Sequence, residues 1–476
     1  MSNLYWMSKR LRSQIFARYP NLEKDPLYAR FLFLLLYGSF FDNETGGLVV
    51  STNIMGNALG VEHKTRYRNF RVGDFLARFK RDVLPKFEVS HWEYIEGRAR
   101  AVIHDGLDPE VHEWVSNDAR HPVVESELVD FVSGRRRTGA LRKQLEDEFR
   151  QEVERDGRCE EPTLRIIRYH NALPRRGFSS VVSKHRPAAW SYVNGMRAGR
   201  SKVMTEKALH RIMIDPKPLL RPVENSVRAF SHQASLTTVK REVRKILTRD
   251  WVEYDLRYAQ LAIVARLWRI PELLEFLEGN TSPWTHLTRT LAPSASDKEQ
   301  AKDIIKNALY ALIFGSSEKR AMEIIGKLDN PPSKQEFFSI DLIDWLFQAR
   351  ERQLQKITDE GFAVTFYGKE ILAPKNEGGR RWWTDQPENA RSILAQQAHA
   401  IEMELITQIY DVLEDRPDDA TIMLNQFDGV SVRYDKRLKG SWRNLHDQVI
   451  DAVNVRGEEL QIPTSLEAAV PSSYPQ

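Results

Sequence analysis

The stretch Trp251-Val-Glu-Tyr-Asp-Leu-Arg-Tyr-Ala-Gln-Leu-Ala-Ile-Val-Ala265 constrains the fold more than any other. A β-type run brings one carboxylate, Asp255, to its end; the chain then turns and an apolar helix-like segment begins. A second apolar run, Ala420-Thr-Ile-Met-Leu-Asn-Gln-Phe-Asp-Gly-Val-Ser-Val432, brings another lone carboxylate, Asp428. Two strands that each present one acid can hold two divalent metals between them, which is the least equipment that metal-assisted phosphoryl transfer requires. Further strand signals fall at Phe362–Tyr367, Ile371–Ala373 and Val430–Tyr434, and helix signals over most of 258–278, 297–328, 340–358 and 385–415. The fold class is therefore α+β.

In the helix predicted from Asp297 to Leu328, Lys302, Lys306, Tyr310 and Phe314 recur every four residues. Four residues turn about 400°, so successive members drift by only about 40° and share one face. That face runs from two cations to two rings over roughly 18 Å. A nucleoside triphosphate has the same polarity, with anionic phosphates at one end and a stackable base at the other. Taken alone, the stripe is better accounted for by an amphipathic helix with snorkelling lysines and buried rings, since such stripes are usually core. Gly315 then interrupts the pattern at a point where a backbone or a base can come close.

With 476 residues, 41% hydrophobic and 29% charged, the chain has room for two to four domains. A net charge of +4 on 70 Lys plus Arg permits a polyanionic partner without demanding one. One cysteine, Cys159, rules out an internal disulfide framework and suits a reducing cytoplasm. The longest apolar run, Phe31 to Phe41, falls short of the roughly 18 residues of a membrane span and reads as a buried core helix. No His/Cys cluster has zinc spacing, and no Gly-rich loop of Walker type occurs. Near the N-terminus, a helix-like Ser51–Val61, a basic segment His63–Arg71 and a hairpin Phe87–Ile95/Arg98–Ile103 turning at Glu96-Gly97 outline a winged-helix-like unit. A plain helical cap with a hairpin fits the same outline. The tail after Pro463 is Ser/Pro-rich and is expected to fray.

The order acid strand, Lys/aromatic helix, acid strand resembles the family A (Pol I-like) DNA polymerases. Asp255-Leu-Arg-Tyr-Ala-Gln260-Leu-Ala stands where the family's first motif has Asp-x-Ser-Gln-Ile-Glu-Leu-Arg. Lys302-x3-Lys306-x3-Tyr310-Ala-Leu-Ile-Phe314-Gly315 stands for its fingers motif, and Phe427-Asp428-Gly429 for its His-Asp-Glu. Arg228 to Leu236 with Arg241 to Leu247 is similar to the segment before the first motif. Leu277-Glu-Gly279 with His286 is similar to the one after it, and Leu394 to Ala400 to the family's Gln-bearing helix. The resemblance covers about 221–465; nothing in the first 120 residues is similar to the family's exonuclease.

That resemblance implies a right-hand polymerase with an antiparallel palm, helical fingers and a helical thumb. The domains would be an N-terminal winged-helix-like unit at 1–120, the thumb at 121–220, palm at 221–267, fingers and hairpin at 268–384, and palm again at 385–476. It implies a nucleotidyltransferase adding dNTPs to a primer 3′ end on DNA, with Asp255 and Asp428 as ligands of two Mg2+ ions, Mn2+ being able to substitute. Lys306 and Lys302 would grip the phosphates, and Lys306 could protonate the leaving group. Tyr310 would stack on the incoming nucleotide, Phe314 would lie near the templating base, and His286 would contact a phosphate. Arg228, Gln396, Gly315 and Arg241 would touch nucleic acid. A replication partner would bind through residues 1–120, no membrane is involved, and the short proofreading-free chain suggests a phage or mobile element. An RNA polymerase or primase, or an inactive DNA-binding accessory, are the alternatives. Departures from the family are specific. Gln260 replaces a glutamate that excludes a 2′-OH, Phe314 replaces a tyrosine bonded to that glutamate, and Gly429 replaces an acid. Lys302 for arginine keeps the charge and loses the bidentate fork.

Overall fold

The computed structural model describes residues 5–37, 48–51, 72–95, 98–104, 106–120, 127–155, 161–197, 199–223, 226–231, 235–279, 281–372, 388–435, 437, 442–472 and 474. The Ser51–Val61 helix beyond Ser51, the His63–Arg71 segment, the Glu96-Gly97 turn and Cys159 lie outside the described residues. The chain divides into two compact units, one made of 1–157, 167–221 and 230–249, the other of 158–166, 222–229 and 250–476. The zones read as 1–120 and 121–220 both fall largely in the first.

In the first unit the apolar run near residue 31 forms the helix Pro26–Tyr37. Phe31 is fully buried and meets Phe75, Phe79 and Phe87 edge-on at 4.8–5.7 Å. Such edge-to-face sets place ring hydrogens on neighbouring π faces and fix the helix against its surroundings. The predicted hairpin is present as Glu88–Ile95 paired with Arg98–His104, and Leu48–Ser51 adds a third antiparallel strand. Among the described residues no helix is long and apolar enough to cross a membrane.

The second unit is built on a four-stranded antiparallel sheet: β1 (Val252–Leu256), β2 (Ala420–Asn425), β3 (Gly429–Tyr434) and β4 (Leu466–Ala469), in the order β2-β3-β1-β4. Side chains alternate across β1. Val252, Tyr254 and Leu256 are buried, whereas Asp255 is exposed on the opposite face. On the buried face the Tyr254 hydroxyl lies 2.6 Å from both the Tyr434 hydroxyl and His446 Nδ1, which ties β1 and β3 to the helix Trp442–Glu459. With its polar tips satisfied, that face needs no solvent, and the acid-bearing face is left to the site.

Four helices frame that site: α1 (Ala259–Leu267), α2 (Pro283–Leu291), α3 (Lys298–Ile313) and α4 (Glu388–Leu413). The helix read over 258–278 is two helices, because Arg269 turns left-handed (φ 55°) and Pro271 starts a new one, Pro271–Glu278. The helix read over 297–328 also breaks. Asp297 caps α3 through the Gln300 amide (3.0 Å), and Gly315 ends it with φ 88°. The Gly315 amide bonds Leu312 O and the Ser316 amide bonds Ala311 O, the pairing of a Schellman cap, and Ser317 then caps Glu318–Ile325. A single helical period had hidden both breaks.

The tail corrects the sequence reading. The described residues after Pro463 are ordered: β4 pairs with β1 from Leu466↔Leu256 to Ala469↔Glu253, and Tyr474 is buried against Tyr434 and Trp442. Leu-Glu-Ala-Ala has neither β-branching nor clear alternation, so its strand state comes from the unpaired edge of β1 rather than from propensity.

Candidate functional site

Strand pairing brings the backbone at the two aspartates together. Gly429, the residue after Asp428, lies directly across from Asp255, and the Leu256 amide bonds Asp428 O at 2.9 Å. Asp428 sits in the β2–β3 turn, closed by a 2.8 Å bond from the Gln426 amide to Gly429 O. Phe427 takes a left-handed φ of 73° there, uncommon for a large side chain and of the kind that concentrates at functional sites. A Cβ on Gly429 would lie 2.4 Å from Tyr254 O and 3.3 Å from Asp255 Oδ1. Close approach of the two backbones therefore forbids a third acid at 429. Two carboxylates, one at the end of β1 and one in the adjoining β2–β3 turn, offer hard oxygen donors that suit a divalent ion such as Mg2+. Among the described residues no group of three or more His, Cys, Asp or Glu gathers as a metal site, so any fit rests on this pair.

Tyr310 of α3 lies within the electrostatic influence of these acids. Burial raises the Tyr310 phenol above its ordinary range, and Asp428, Asp255 and Glu402 push it the same way by charge. That ring is therefore close enough to feel all three carboxylates. Trp284 of α2 meets Tyr310 edge-on at 5.5 Å, and Phe314 follows at 5.8 Å. The Lys306 ammonium lies 5.5 Å from the Tyr310 ring centre and 5.8 Å from that of Trp284, within cation–π range. Lys302, one turn further, bonds Glu299 at 3.2 Å. It lines a recess of about 360 Å³ together with Arg289, Lys298, Thr285 and Thr288. Along α3 the order is Lys302, Lys306, Tyr310 and then Phe314 at its end.

A third carboxylate, which sequence reasoning missed, joins the other parts. Glu402 of α4 is fully buried and receives the Arg228 guanidinium: NH2 donates to both oxygens at 2.6 Å and Nε to Oε1 at 3.1 Å. Gln260 Nε2 also donates to Glu402. The Arg228 guanidinium in turn stacks on Phe427, 4.7 Å from its centroid, immediately before Asp428. Burial pushes the Glu402 carboxyl up to about 7; the Arg228 charge opposes that, and Asp428 adds to it. His399, one turn earlier on α4, is buried with its ring 5.4 Å from that of Phe314, and neither ring nitrogen has a partner. Burial, then the Arg228 charge, depresses its pKa, so the imidazole is neutral.

Comparisons with known proteins add little. No family model matches the chain, and no curated protein matches it. Among solved structures it is similar to the polymerase domain of Pol1 from M. smegmatis in complex with a DNA primer–template and dNTP, at TM-score 0.43 and 12% identity over 69% of this chain and 70% of that one. A likeness at that level carries no weight, and functional roles rest here on this chain's own residues.

The other residues singled out in the sequence are placed as follows. Gln396 is buried, and its carbonyl accepts the Val227 amide at 3.1 Å, so it docks the Arg228 segment onto α4. Gly315 serves the α3 cap. His286 lies edge-on to Phe276 at 5.3 Å. Arg241 opens the helix Arg241–Leu247 of the first unit. A buried acid in an apolar helix was the available signal for Glu402, but Glu404 two residues on is equally acidic and instead pairs with Arg456 at 2.7 Å. Nothing in the string separates the two.

Glu402 gives a pH prediction. Its folded pKa, about 7, lies above the ordinary carboxyl value, so its stabilising contribution is complete below about pH 4.5 and is lost as pH rises to 7. In metal-free buffer the wild type should lose about 3 kcal/mol of stability over that window relative to Glu402→Gln. Urea unfolding of both proteins across pH 4.5–8 reads the difference, and parallel curves would refute it.

Proposed function

We propose that the second unit is the core of a template-directed polymerase, transferring a nucleotide from a dNTP to a primer 3′ end on DNA. The observation that supports it most is the placement of Asp255 at the end of β1 opposite the turn that carries Asp428, with Tyr310 of α3 within their electrostatic reach. In this reading the sheet is a palm and α2 and α3 belong to the fingers of a right-hand architecture, with the thumb drawn from 121–220.

Mg2+ held by Asp255 and Asp428 would activate the primer hydroxyl and stabilise the departing pyrophosphate. Every other role belongs to the chain. Lys306 neutralises triphosphate charge and can give a proton to the leaving group. Lys302 and the cationic recess beyond it take the far phosphates. Tyr310 provides a stacking surface, and its raised pKa keeps the phenol neutral beside the acids. Arg228, fixed by Glu402 and Phe427, borders the turn that carries Asp428.

Sugar choice is looser than in family A enzymes, because position 260 carries an amide instead of a carboxylate. A ratio of kcat/KM for dATP over ATP well below that of an ordinary family member is the expected result; an equal ratio refutes it. Primer extension tests the function itself: primed template with dNTPs, and unprimed template with NTPs. Product in the first tube supports the proposal. Product only in the second favours an RNA polymerase or primase, a reading to which the absence of an acid at 429 lends weight. No product in either tube sinks both.

A further inference from the structure

Trp284 and Lys306 meet from two different helices. Ser282 caps α2 by accepting the Thr285 amide at 3.5 Å, and Pro283 fixes the first turn, so the direction of the next side chain is set. That side chain is Trp284, buried and edge-on to Tyr310 at 5.5 Å. The half-buried Lys306 has its ammonium over both rings, 5.8 Å from the Trp284 centre and 5.5 Å from that of Tyr310. Among the described residues this ammonium makes no hydrogen bond and no ion pair. Lys302, one turn away, has its charge met by Glu299. The difference matters chemically. An ammonium carries three donors and no acceptor. A carboxylate would take a donor and cancel the charge, whereas a ring face holds the cation through its quadrupole. Rings therefore keep Lys306 in place and leave its charge and its donors to an arriving anion.

We propose that Trp284 is a positioning residue: with Tyr310 it holds the Lys306 ammonium ready for the phosphates of an incoming nucleotide. This rests on the polymerase reading above. The two rings differ in standing. Tyr310 lies one turn from Lys306 on α3, so helical geometry alone brings them together. Trp284 comes from α2 and supplies the second ring. Without it the ammonium is free to sample solvent on its flexible four-carbon stem. An arriving phosphate must then overcome the entropy of ordering that side chain as well as its own.

The experiment is a double-mutant cycle: Trp284→Leu in the wild type and in Lys306→Met, with Trp284→Phe beside them. It is read twice, as kcat/KM for dATP and as affinity for inorganic tripolyphosphate by calorimetry. The expected result is a loss of about tenfold in both readings for Trp284→Leu, and of less than about twofold for the same change in Lys306→Met. Trp284→Phe keeps a ring face and should recover most of the loss. A loss of equal size in both backgrounds means that Trp284 acts as plain packing or through Tyr310, and overturns the proposal. A Trp284→Leu protein that matches the wild type overturns it too. Where leucine fails to fold, Trp284→Met takes its place in the cycle, since methionine fills irregular space without a π face. A wild type that extends no primer sinks the polymerase reading alone, and the tripolyphosphate cycle then decides the role of Trp284. If that protein also fails to bind tripolyphosphate, the proposal falls with it.

Discussion

Asp428→Asn loses primer extension by about a thousandfold or more while the protein melts and binds primer–template as the wild type does. Asparagine keeps the shape of the side chain, so the Leu256–Asp428 backbone bond and the β2–β3 turn are untouched. What goes is one negative charge beside Asp255. A metal at a reacting phosphate stabilises several kcal/mol of developing charge, and about 4 kcal/mol corresponds to a thousandfold in rate. Asp255→Asn is expected to match it, since the two acids serve one pair of ions. The double variant should be little worse than either single one, because groups that act as a unit are far from additive. Binding must be measured beside activity. Removing an anion from a surface that meets phosphates leaves affinity for DNA equal or slightly higher, whereas misfolding lowers it. Retained activity in Asp428→Asn would remove the basis of the functional proposal. Loss of DNA binding along with activity would point to a structural role for the turn.

What could be read from the string and what could not divide along physical lines. The placing of Asp255 on a strand and of Lys306, Tyr310 and Phe314 along a helix was legible because each depends on local periodicity, alternation in a strand and a four-residue recurrence in a helix, whereas Asp428 falls in the turn just past its strand. Observed strands and helices around them agree with the predicted ones to within a few residues, except where a backbone φ intervenes. Gly315 and Arg269 both end helices by going left-handed, and the apolar period continues across each break. The missed features are all long-range. Glu402 is defined by Arg228, 174 positions away, and by Gln260, 142 away. β4 is a strand only because β1 has a free edge beside it. Gln396 illustrates the converse: a residue type that suits a groove in nucleic acid is equally able to cap a neighbouring backbone amide, and only the fold decides between them.

An acid placed directly after Asp428 should destroy this site. Gly429→Glu places a Cβ where Tyr254 O already lies 2.4 Å away, and that atom is backbone, with no rotamer to retreat into. β1 and β3 must separate at the one point where Gly429 faces Asp255. Overpacking of this kind costs about 3 kcal/mol, and a displacement of about 1 Å in catalytic groups can cost a hundredfold in rate. Both losses should appear together, as a lower melting temperature and primer extension down by about a hundredfold. Gly429→Ala separates the causes. Alanine adds the same Cβ without charge, so steric origin predicts that alanine and glutamate fall alike. If alanine were neutral and glutamate alone inactive, repulsion among three carboxylates would be the reason, and the strands would have to sit further apart than their pairing implies. If glutamate were fully active, Asp255 and Asp428 would not be held by the close contact at 429, and the shared-metal reading would fail with it.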